Sequence, residues 1–130
     1  MRTAIRAAIL ADATLIGLGV VDTGVLAGDV DSFADRPFLN LKWGVRNPGM
    51  STETATALTI WVHDDPNDYA RIAAICARLS VLLPSIVGLA DPVSGGWVSQ
   101  VRWDGDSSDL SDDGHRTIVK QCNFTIIGSA

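Results

Sequence analysis

Over the first sixteen residues apolar side chains recur at helical spacing. Ile5, Ile9 and Leu10 share a stripe with Ala13 and Ile16, while Arg2, Arg6 and Asp12 lie off it. This predicts a helix over Thr3 to Ile16, stopped by Gly17 and Gly19. Residues 17–37 (GLGVVDTGVLAGDVDSFADRP) keep no period and are rich in Gly and Asp, so they read as a long connection with a short strand at Val20–Val21. The period then becomes two. From Phe38 to Arg46 strict alternation puts Leu39, Leu41, Trp43 and Val45 on one face and Asn40, Lys42 and Arg46 on the other, a half-buried strand.

Asn47-Pro48-Gly49 is turn chemistry, and the polar run after it predicts a long exposed hairpin tip over Asn47–Thr56. Ala57 to His63 returns as a strand, with Leu58, Ile60 and Val62 on one face. Asp65 as cap and Pro66 as first residue open a helix to Leu83, with Tyr69, Ile72, Cys76, Leu79 and Leu83 on its apolar side. Trp97–Trp103 and Arg116–Ile127 are two further strands, the second burying Ile118, Cys122, Phe124 and Ile126. The order is α-β-β-α-β-β without internal repeats. It predicts an α+β fold over residues 1–130, a single domain: a four-stranded antiparallel sheet with two main helices packed on one face.

Charge narrows the function. Fifteen acidic residues against ten basic ones leave the chain at −5, and the cations are scattered singly, which argues against gripping a phosphate backbone. Arg2 and Arg6 ahead of an apolar stretch resemble the start of a leader, but Asp12 interrupts that stretch and an amphipathic helix is expected instead. No apolar run approaches a membrane span, and no membrane association is expected. Cys76 and Cys122 have no second Cys or His at metal-ligand spacing; each reads as a small buried filler, with a disulfide between them the alternative.

Five aspartates, Asp104, Asp106, Asp109, Asp112 and Asp113, crowd the join between the last two strands. A calcium loop starting at Asp104 needs Gly at its sixth place and Glu at its twelfth, where this chain has Asp109 and His115, so the stretch reads as a solvated acidic loop without a metal. Val20-Val21-Asp22-Thr23-Gly24 matches the signature of aspartic proteases, and a dimeric enzyme of that kind, one Asp from each chain, is a rival reading of another class. Against it stand the long helix from Pro66 and Val25 where Ala or Ser is usual. Gly17-x-Gly19 lacks the third Gly of a dinucleotide loop, and His63 and His115 have no Ser or Cys partner in a recognisable arrangement. No catalytic residue and no cofactor is expected.

Several stretches, in order along nearly the whole chain, resemble the tail terminator (tail completion, minor tail) proteins of long-tailed bacteriophages with non-contractile tails. They are RTAIRAAILADATLIGLG, RPFLNLKWG, TALTIWVHDDPNDYARIAAICARLSVLL and RTIVKQCNFTII. The most telling is the strand ending in IWVHDD, followed by a short cap and a helix with Tyr69 and Ala70 near its start. The resemblance implies a noncatalytic virion protein, assembled in the host cytoplasm. It would form a ring, usually of six, on the completed tail tube, stop polymerisation and offer a surface to the head completion or stopper protein. DNA would pass through the hole without specific binding, which suits an acidic chain. On this reading Asn47, Pro48, Gly49 and Met50 are the candidate tube-contact tip, and the five aspartates line the channel or meet a neighbouring subunit. A head–tail stopper or a tail tube component is the nearest alternative.

Overall fold

The computed structural model describes residues 1–27, 36–48, 53–114 and 116–129. Helix α1 (Arg2–Ala11) and a short α2 (Ala13–Gly17) lead through a 3₁₀ turn at Asp22–Gly24 into strand β1 (Val25–Ala27). Strands β2 (Phe38–Pro48) and β3 (Thr54–Asp64) come next, then helix α3 (Tyr69–Leu82), β4 (Val87–Ala90), β5 (Trp97–Asp106), β6 (Leu110–Asp112) and β7 (Thr117–Ser129). All seven strands join one sheet in the order β1-β2-β3-β7-β5-β4, with β6 also paired to β7. Among the described residues only the β1–β2 pair is parallel.

The centre of the sheet is β3 against β7, in unbroken register from Thr54 opposite Gly128 to Asp64 opposite Ile118. Alternation decides this pairing: Leu58 and Ile60 face Phe124 and Cys122, and all four are buried. α3 lies over that face with Ile72, Ile75, Cys76 and Leu79 inward, and α1 adds Ile5 and Ile9. Each such side chain contributes about 1.5–3 kcal/mol by leaving water, so this layer is the main source of stability. Irregularities between Trp43 and Arg46, Val98 and Gln100, and Trp103 and Gly105 add twist, and the sheet curls into a half-barrel around the layer.

The expected four-stranded antiparallel sheet under two main helices is therefore replaced by a seven-stranded mixed sheet with little helix. Three short strands at the margins account for most of the difference, because β1, β4 and β6 are three or four residues long and too short to show a period. β1 falls at Val25–Ala27, not Val20–Val21. The first helix also does not run through to Ile16. Asp12 is extended, and its carboxylate accepts the Leu15 N–H at 3.0 Å, ending α1 and capping α2. The break rotates the apolar stripe, so Leu15 is buried and Ile16 exposed. In α3 the cap is Asp68, accepting from the Arg71 N–H, while residues 65–67 form the turn before it.

Candidate interaction surfaces

The acidic stretch divides among three elements. Asp104 and Asp106 belong to β5, Asp112 to β6, while Asp109 and Asp113 flank β6. Asp104 works within the polar sheet face: it accepts from Arg102 Nε at 2.8 Å and Thr125 Oγ1 at 2.5 Å. Burial raises its pKa and these two bonds lower it; the balance leaves it below the ordinary carboxylate value. Beside it Thr59 donates to Asn123, which donates on to the Gly105 carbonyl. Asp106 accepts from the Trp103 indole at 3.0 Å, and Asp109 lies 3.9 Å from Lys120 Nζ. Among the described residues no three His, Cys, Asp or Glu side chains are grouped to hold a metal ion. His115 lies outside the described residues.

The hairpin tip is described at Asn47 and Pro48, both exposed at the end of β2 and paired with Ala55 and Thr54. Gly49 and Met50 lie outside the described residues. Asp22 of the protease-like signature sits at the start of the 3₁₀ turn, where Arg6 Nη2 reaches its carboxylate at 2.6 Å and its carbonyl at 2.9 Å. Arg6 also donates to the Val25 carbonyl, so the guanidinium fastens this turn and β1 to α1. His63 is buried: its ring stacks on Phe38 at 4.3 Å, and Nδ1 lies 2.9 Å from Thr117 Oγ1. Cys76 and Cys122 are both free and buried, and the Cys122 thiol is pushed upward, first by its hydrogen bond with Cys76 and then by burial.

Two buried carboxylates went unread in the sequence. Asp64, wholly buried at the end of β3, receives Nε and Nη2 of Arg71 in a fork. Asp91, in the turn after β4, accepts the backbone N–H groups of Ala4, Val93 and Ser94 and meets the Met1 amino group at 2.9 Å. The Ser94 bond leads in holding its carboxyl far below the usual range, against the opposing push of burial.

Two surfaces stand out for binding. One is the outer margin of the sheet at β4, where all four residues are exposed and Val87 (79%), Val93 (78%) and Trp97 (48%) present apolar area. The other is a cleft of about 480 Å³ where the start of α1 meets the β2 bulge, lined by Arg2, Trp43, Arg46, Thr56, Asp91 and Ser94 among others. Arg2 lies over the Trp43 ring at 5.5 Å, a cation–π contact. Thr56 is 5% exposed, and its hydroxyl has no hydrogen-bond partner among the described residues.

No family model and no curated protein matches the chain. Among solved structures it is similar to a chain of the virion of a native gene transfer agent (GTA) particle, with a TM-score of 0.69. A virion component shares this fold. The likeness covers 99% of this chain and 95% of that one at 16% sequence identity, so it extends over the half-barrel and all three helices.

Proposed function

We propose that this chain is a noncatalytic structural virion protein of the tail terminator kind. It assembles as a ring, of six copies on the resemblance, on the end of a completed tail tube in the host cytoplasm. There it stops polymerisation and presents a surface to the head completion protein. One observation carries the virion role: the whole chain shares its fold with a chain of a virion particle. The finer assignment rests on the sequence resemblance running through IWVHDD and α3. The described chemistry is compatible with it, since Asp22, Asp64, Asp91 and Asp104 are each engaged in holding the fold. A net charge of −5 per copy repels phosphate, which lets DNA slide through a ring rather than adhere.

The test is the mass of the purified protein over a wide concentration range, followed by electron microscopy with isolated tail tubes. Rings, or monomers that become rings on tube ends, are the expected result. Spontaneous growth into long tubes would identify a tube component instead, and binding only to the head vertex a stopper. A strict dimer indifferent to tubes and heads overturns the proposal.

A further inference from the structure

The cleft beside α1 holds two arginines whose charge is not balanced by a nearby carboxylate among the described residues. Arg6, Arg71, Arg78 and Arg102 each have a carboxylate partner within 2.8 Å, whereas Arg2 and Arg46 have none among the described residues. Arg2 also stands in the first turn of α1, where the helix dipole disfavours a cation and where no acidic residue compensates it. The Trp43 ring and the Thr56 hydroxyl, which has no hydrogen-bond partner among the described residues, line the same cleft. An occupant of this cleft should therefore carry carboxylates, a modest apolar side chain and a hydrogen-bonding group.

The same chain displays such a segment elsewhere. The Asp109–Asp113 turn between β5 and β7, made of the short strand β6 and its two flanking aspartates, exposes Asp109 and Asp113, and between them Leu110 (39% exposed) and Ser111. It cannot reach its own cleft. The turn pairs with β7 around Ile118, whereas Thr56 of the cleft lies opposite Ile126; the eight residue steps from one to the other make about 26 Å of extended strand. We infer that the Asp109–Asp113 turn of one copy docks in the Arg2–Arg46 cleft of the next. Carboxylates meet the two guanidinium groups, and Leu110 lies against Trp43. Because cleft and turn occupy opposite ends of the strands, the contact is head-to-tail, the kind that closes into a ring when the rotation between copies allows. This rests on the assembly role proposed above and goes further by naming the two surfaces that meet.

Charge reversal tests it. Sedimentation velocity of the purified chain is compared with Arg46→Glu, with Asp109→Arg plus Asp113→Arg, and with all three changes in one chain. Each reversal alone should weaken self-association tenfold or more, the combined chain should recover most of it, and thermal unfolding should be the same in all four. Association that ignores the reversals, or a combined chain that does not recover, overturns the contact while leaving the virion role intact. A protein monomeric at every concentration also overturns it; whether that monomer still caps tail tubes then decides the assembly role separately.

Discussion

Asp12, Asp91 and Asp104 sit in surroundings that favour their charged forms, so their pKa values are lower in the folded chain than in the unfolded one. A depressed folded pKa contributes stability above the unfolded value, near 3.9, and that contribution is lost as pH falls through the folded value. Urea unfolding should give a flat stability between about pH 6 and 8 and a decline below about pH 4. Asp91→Asn should lower neutral-pH stability by about 1–3 kcal/mol and flatten the acid decline; an unchanged acid limb would show that Asp91 is not its source. Gly128 is sensitive for a steric reason. A Cβ there would lie 2.1 Å from the Trp97 carbonyl oxygen, so Gly128→Ala must push β5 from β7 and should cost at least about 1–3 kcal/mol in the same assay. Neither residue announces itself in the sequence, because their partners lie on remote segments: Asp91 meets Ala4 across 87 positions.

At the scale of elements, legibility follows period and length. β2, β3, β5, β7 and α3 could be read because each is long enough to show alternation or a helical stripe, and most of the positions that pattern turns inward are buried; Asn40, expected on the polar face of β2, is buried instead, and Tyr69, expected on the apolar side of α3, is exposed because it opens the helix ahead of the core. A further departure is instructive: Val45 continues the alternation of β2 yet is 72% exposed, because it lies within the bulge between Trp43 and Arg46, where the extra residue breaks the alternation. β1, β4 and β6 hold their place through neighbours rather than through their own composition. The acidic cluster was legible as a composition, but its division among β5, β6 and the turns was not. Asp12 shows how a single residue couples elements. It caps α2 and accepts Nε and Nη2 of Arg78 at 3.0 and 2.7 Å, so it joins both N-terminal helices to α3. Asp12→Ala should lower stability by about 1–2 kcal/mol, more than Arg78→Ala, since only the first also removes the cap. Equal losses in the two variants would assign the whole effect to the ion pair.

For the whole molecule, folding and the proposed assembly rest on different forces, and salt separates them. The fold depends on the apolar layer between sheet and helices and on carboxylates such as Asp64 and Asp91 that lie out of solvent. The proposed cleft contact depends on charges that are exposed until two copies meet. Raising NaCl to about 1 M shortens the screening length to about 3 Å, which weakens attraction between approaching surfaces far more than pairs already buried. Light scattering should then show complexes dissociating toward monomers while the urea midpoint barely moves. The opposite trend has an equally definite meaning. If sodium sulfate strengthens association, burial of apolar area drives it, and the exposed β4 margin with Val87 and Val93 becomes the contact between copies in place of the arginine cleft.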